Sequence, residues 1–92
     1  MKPTLQIEYC PKCGWMLRAA YIAQELLTTF EEDVYGITLI PSEVSGRFQI
    51  RHEDFMIFDR KRDGGFADIK TLKQRVRDRI CPEKNLGHSD KK

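Results

Sequence analysis

Thr4-Leu5-Gln6-Ile7-Glu8-Tyr9-Cys10-Pro11-Lys12-Cys13-Gly14 is the stretch on which the reading of this chain turns. Leu5, Ile7 and Tyr9 alternate with Thr4, Gln6 and Glu8, the period-two pattern of a strand with one buried face. Two cysteines follow at once, separated by Pro11 and Lys12. Pro11 suits the first position of a helix, where its missing N–H costs nothing. From Trp15 to Phe30, Met16, Ala19, Ala20, Ala23, Leu26, Leu27 and Phe30 recur at helical spacing, with Gly14 in the first turn. The Cys10-Pro11-Lys12-Cys13 motif therefore stands at the junction of a strand and a helix.

Outward from that junction, the helix is expected to stop near Glu31-Glu32-Asp33, acids set at the end where the helix dipole disfavours them. Val34 to Ile40 reads as a strand closed by Pro41-Ser42. A turn from Glu43 to Gly46 leads into Arg47–Arg51, where Phe48 and Ile50 share one face. His52-Glu53-Asp54 forms a polar turn into a strand over Phe55–Phe58, which makes a hairpin. After the charged loop Arg60–Gly65, Asp68 caps a helix whose Ile69, Leu72, Val76 and Ile80 form one stripe, ended by Pro82. Residues 1–82 make the domain, and residues 83–92 are expected to be a frayed polar tail. The order β-α-β-β-β-α implies a right-handed parallel crossover extended by an antiparallel hairpin. This is an α/β chain with a mixed four-stranded sheet and two helices, and a CxxC at the first strand–helix junction makes the arrangement thioredoxin-like.

Length and composition agree. Ninety-two residues hold one core, and 40 % apolar with 33 % charged residues argues against disorder. No apolar run is long enough to span a membrane, and the start lacks the apolar stretch of a secretory signal, which favours a cytoplasmic address. The net charge of +2 divides into −3 over residues 1–45 and +5 over residues 46–92. Asp59, Asp63, Asp68 and Asp78 interrupt the basic half, and no aromatic interleaving suits base stacking, so no nucleic-acid partner is expected. Three cysteines are too few and odd in number for a disulfide-stapled fold, so the CxxC reads as redox or metal chemistry in a reducing compartment.

With Cys10 as N-cap, its sulfur faces the N–H groups of Lys12 and Cys13, and Lys12 adds a positive charge. These groups favour a thiolate. That thiolate attacks a disulfide or peroxide, and the second cysteine, one turn away, closes the ring. On this argument Cys10 attacks and Cys13 resolves. Other readings stand beside it. Zinc needs two more ligands, and only His52, His88 and Cys81 remain, none at a paired spacing. The cysteines can also be packed apolar residues. An adaptor reading places a protein partner on the sheet edges and the basic run from Arg60 to Arg79. Cys81 reads as a spectator, His52 and His88 as solvated, and Met16, Trp15 and Phe30 as core or its margin.

Several stretches together resemble the selenoprotein W-like (Rdx) family: Cys10-Pro11-Lys12-Cys13, Leu17-Arg18-Ala19-Ala20, Ala23-Gln24-Glu25-Leu26-Leu27, Gly46-Arg47-Phe48-Gln49-Ile50, Gly64-Gly65-Phe66-Ala67-Asp68 and Leu72-Lys73-Gln74-Arg75-Val76-Arg77-Asp78. The resemblance spans roughly residues 4 to 82. It implies a thioredoxin-like fold and a thiol-redox role in cell redox homeostasis with glutathione or thioredoxin-type partners, and no tightly bound cofactor. Selenoprotein members carry selenocysteine at the position of Cys13, which implies that Cys13 attacks and Cys10 resolves, the reverse of the helix-start argument. Ala67 stands where many members have proline. No proline lies immediately before the Phe48 strand, where thioredoxin places one opposite its CxxC.

Overall fold

The computed structural model describes residues 1–90. β1 (Thr4–Tyr9) lies inside the sheet. It pairs parallel with β2 (Gly36–Pro41) on one side and antiparallel with β3 (Phe48–His52) on the other, and β3 continues into β4 (Phe55–Asp59). The strand order is β2-β1-β3-β4, a mixed four-stranded sheet. Two helices, α1 (Met16–Phe30) and α2 (Ile69–Ile80), complete the expected β-α-β-β-β-α order.

Strand alternation decides which face of the sheet is covered. Leu5, Ile7 and Tyr9 of β1 are buried, opposite Ile50 and Phe48 of β3. α1 packs on β1 and β2, α2 packs on β4, and the helices touch each other, so both lie over this apolar face. Leu26, Phe30, Phe48, Phe58, Leu72 and Val76 close the core between the layers. Burying each such side chain contributes about 2 kcal/mol of transfer free energy. The other face is polar. There Glu8 accepts from the Ser42 hydroxyl at 2.7 Å, from Arg51 at 2.9 Å and from Arg47 at 3.2 Å. Burial raises the Glu8 pKa, but these hydrogen bonds outweigh it and hold the carboxyl below its ordinary value.

The helical stripe of α1 differs in detail from the sequence reading. Ala19, Ala23, Leu26 and Phe30 are buried with Ile22, whereas Met16 and Leu27 are exposed. Strand boundaries move by one or two residues: β2 begins at Gly36, and His52 belongs to β3, leaving Glu53-Asp54 to turn with Glu53 at φ 55°. His52 is half-buried, and its Nδ1 accepts from Arg79 at 3.2 Å. Asp68 caps α2 as expected, accepting from the Thr71 N–H at 2.8 Å.

The tail does not fray through residue 90. Gly87–Asp90 forms a short 3₁₀ turn, Asp90 takes both ends of the Arg77 guanidinium at 2.6 and 2.8 Å, and Leu86 packs against the core. Bidentate pairing and apolar burial together offset the entropy that otherwise frees a terminus. Lys84 pairs with Asp33 at 3.0 Å, which gives that acid of the α1 end its partner. Lys91 and Lys92, also assigned to the frayed tail, lie outside the described residues.

β4 is an edge strand, and two of its carbonyls are occupied by arginines. Arg62 donates to Met56 and Ile57 at 3.3 and 3.4 Å, Arg75 donates to Ile57 at 3.3 Å, and Asp63 accepts from both arginines at 3.0 Å.

Candidate redox site

The two cysteines sit in a turn between β1 and α1, not in the first turn of the helix. Gly14 donates to the Pro11 carbonyl at 3.0 Å and Trp15 to that of Cys10 at 3.4 Å. Gly14 adopts φ +76°, a left-handed conformation that interrupts a right-handed helix and that glycine adopts without strain. α1 therefore starts afresh at Trp15, whose carbonyl accepts from the Ala19 N–H at 2.9 Å. Cys10 is not its N-cap, and Pro11 is not its first residue.

The turn separates the sulfurs by environment. Cys10 is 1 % exposed, whereas Cys13 is exposed. The side chains are within hydrogen-bonding reach of each other. The Cys13 side chain, the backbone N–H groups of Gly46 and Cys13 and the Ser45 side chain favour a charged Cys10 sulfur, so its thiol is held below its ordinary pKa despite burial. Cys13 is pushed up, first by the neighbouring Cys10 side chain and then by desolvation, although Gly46 and Arg60 pull the other way. The two thiols titrate together, and the first deprotonation belongs to both sulfurs.

The loop after β2 supplies what a helix N-terminus was expected to supply. Gly46, at φ +79°, turns its N–H toward the cysteines where the chain enters β3. No cis peptide bond occurs among the described residues, and Ser45 lines the space beside Cys10 from this side. A cleft of about 310 Å³ opens beside Cys10, lined by Pro11, Lys12, Ser42, Glu43 and Ser45. The larger recess of about 550 Å³ between β4 and α2 contains neither cysteine.

Lys12 is exposed on the cleft, and the cation that acts on Cys13 is Arg60 from the loop after β4. Aromatic packing brings that loop here. Trp15 meets Phe66 edge-on at 5.0 Å, Phe66 meets Phe48 at 5.3 Å, and Arg60 lies 4.9 Å from the centre of the Trp15 ring. Sequence reading missed Ser45, Gly46 and Arg60 as site residues. Arg60 is visible there only as part of a charged loop, and nothing local marks the other two.

The remaining candidates are scattered. Cys81 ends α2 against the core near Asp33, and burial followed by the Asp33 charge pushes its thiol up. His52 ends β3 and His88 is exposed in the tail. Among the described residues, no three His, Cys, Asp or Glu side chains gather as a metal site. Nor is any helix among them long and apolar enough to cross a membrane.

A mixed four-stranded sheet, two helices on one face and a CxxC after the first strand define a thioredoxin-like α/β protein with a vicinal dithiol. The Rdx family model matches residues 4–78, and the chain belongs to that family. Among solved structures it is similar to a selenoprotein W-related protein from Vibrio cholerae, with 47 % identity over 85 % of this chain and 96 % of that one and a TM-score of 0.80. It is also similar to a protein from Bordetella parapertussis, with 46 % identity over 87 % of this chain and 100 % of that one and a TM-score of 0.83. No curated protein matches the chain.

Proposed function

We propose that the protein is a thiol-disulfide redox protein of a reducing, cytoplasmic compartment that cycles Cys10 and Cys13 between dithiol and disulfide, with glutathione or a thioredoxin-type protein as reductant. The observation that carries this reading is the pairing of one exposed and one buried sulfur in a single turn, within hydrogen-bonding reach. Only Cys13 is open to a disulfide in solution, so Cys13 attacks. Its proton passes to the Cys10 thiolate as the Cys13 sulfur bonds to one sulfur of the substrate disulfide, and the other substrate sulfur leaves as a thiolate. Cys10 then attacks the Cys13 sulfur of the mixed disulfide, and its proton goes to the departing second thiol. Two electrons pass from the dithiol to the substrate, and Cys10 and Cys13 are left bridged. Both arguments from the sequence keep a part here: Cys10 holds the charge and Cys13 meets the substrate.

The adaptor reading loses ground on one observation. Within the basic run, Arg62 and Arg75 are paired to Asp63, Lys73 to Glu25, and Arg77 to Asp78 and Asp90. Titration against glutathione buffers, read by intact mass after alkylation, tests the redox proposal. Loss of two alkyl adducts, one for each sulfur of the Cys10–Cys13 pair, with a midpoint between about −300 and −180 mV supports it. Cysteines that alkylate freely across the whole range refute it.

A further inference from the structure

Arg18 and Arg60 differ from most of the other arginines in what holds them. Arg47 and Arg51 bind Glu8, Arg62 and Arg75 bind Asp63, Arg77 binds Asp78 and Asp90, and Arg79 donates to His52. Among the described residues, Arg18, Arg60 and Arg79 have no carboxylate partner; Arg79 lies over Phe55 in the recess that contains neither cysteine, whereas Arg18 and Arg60 rest on the aromatic pair beside the CxxC. The Arg18 guanidinium stands 3.9 Å from the centre of the Phe66 ring. Arg60 lies 4.9 Å from that of Trp15 and 5.6 Å from that of Phe66. A guanidinium laid on a ring uses its face and leaves its N–H edge free, the edge that grips a carboxylate in bidentate fashion. The ring also orders the side chain beforehand, which lowers the entropy cost of that grip.

Arg60 stands close enough to Cys13 to act on its sulfur, and Arg18 meets it on the Phe66 ring. Leu17 and Met16, 84 % and 59 % exposed, precede Arg18 at the start of α1 and offer apolar contact area there. The cleft beside Cys10 offers one charge of each sign, Lys12 and Glu43, and no comparable preference.

We infer that this surface selects the oxidised substrate, and that the substrate is a protein segment whose disulfide is flanked by acidic side chains seated on Arg18 and Arg60. The inference rests on the proposal that Cys13 attacks a disulfide. Two separate cations with an apolar extension suit side chains along a chain better than one small anion.

Three short disulfide-bridged peptides test it, identical except that Glu, Gln or Lys flanks the cysteine, with the second-order rate of reduction by the dithiol protein as readout. The Glu peptide should react about five- to tenfold faster than the Gln peptide, and the Lys peptide slower still, as two solvent-exposed ion pairs allow. The spread should shrink at 1 M salt, collapse to about one in Arg18→Gln/Arg60→Gln, and survive in Arg18→Lys/Arg60→Lys. Equal rates for the three peptides, or a spread that persists in the glutamine variant, overturn the inference. Glutathione disulfide reacting faster than the Glu peptide overturns the protein-segment part. If no peptide is reduced, the redox proposal fails by itself. The surface is then judged by titrating peptides with Ser in place of Cys and following the Trp15 indole N–H by NMR. Salt-sensitive shifts with the Glu peptide alone uphold it, and identical responses to Glu and Lys peptides overturn it.

Discussion

Replacing Gly46 with alanine separates the two tasks assigned to that residue. Its φ is +79°, and a Cβ added there meets no atom within 4 Å, so the cost comes from the backbone alone. Holding alanine in the left-handed region costs about 1 kcal/mol. In a domain of this size that corresponds to a fall in Tm of roughly 4–8 °C. Gly87 provides the control: its φ is +63°, its Cβ space is equally empty, and it lies in the tail away from the cysteines. Gly87→Ala should lose similar stability and leave thiol chemistry untouched. Gly46→Ala should in addition raise the pH at which the Cys10–Cys13 pair first deprotonates, because relaxation of the strained turn moves the Gly46 N–H off the sulfurs. Thermal unfolding gives the first quantity, and the pH dependence of iodoacetamide alkylation gives the second. If both variants lose the same stability while their alkylation profiles overlay that of the parent, the loop does not stabilise the thiolate and the argument fails.

Cys13→Ser should abolish the dithiol–disulfide couple and leave a Cys10 that resists a bulky maleimide because it is 1 % exposed, whereas Cys10→Ser should leave Cys13 open to the reagent; intact mass distinguishes the two. The Asp59 N–H, Arg62 and Arg75 hold Asp63 down at about 2, against the burial that opposes them. Its contribution to stability is therefore complete above the ordinary carboxylate range and lost as pH falls from about 4 toward 2. Asp63→Asn should lower stability at pH 7 by about 1 kcal/mol and flatten part of the acid loss, as read by urea melts across that range. Removing residues 83–92 should lower the urea midpoint, since Leu86 no longer covers the core and Arg77 loses Asp90; an unchanged midpoint would show that the docked tail contributes nothing.

The order of elements was legible because alternation in β1, the stripe of α2 and the Asp68 cap are local signals, each set by the residues' own periodicity. The start of α1 was not, because Gly14 permits both a helical and a left-handed backbone and only the folded turn selects one. Period alone also misassigned Met16 and Leu27, whose positions relative to the sheet depend on how α1 is rolled. At the site, the spacing announced the two cysteines but not their partners. Ser45 and Gly46 arrive from a loop over thirty residues away in the chain, and Arg60 is carried in on Trp15 and Phe66. The tail was misjudged because a polar composition hides one well-placed apolar residue, Leu86, and the charge complementarity of Asp90 with Arg77.

The arginines on β4 act as a selvedge. A sheet of four strands leaves a raw margin, and a second chain laid along it would continue the weave from one molecule to the next. Here that margin is hemmed by Arg62 and Arg75, which occupy the carbonyl acceptors of Met56 and Ile57 and place positive charge where an incoming strand would lie. Asp63 is the stitch that holds both side chains down. A single neutralised carboxylate would loosen the hem, so losing Asp63 would leave the margin less guarded as well as weaken the fold.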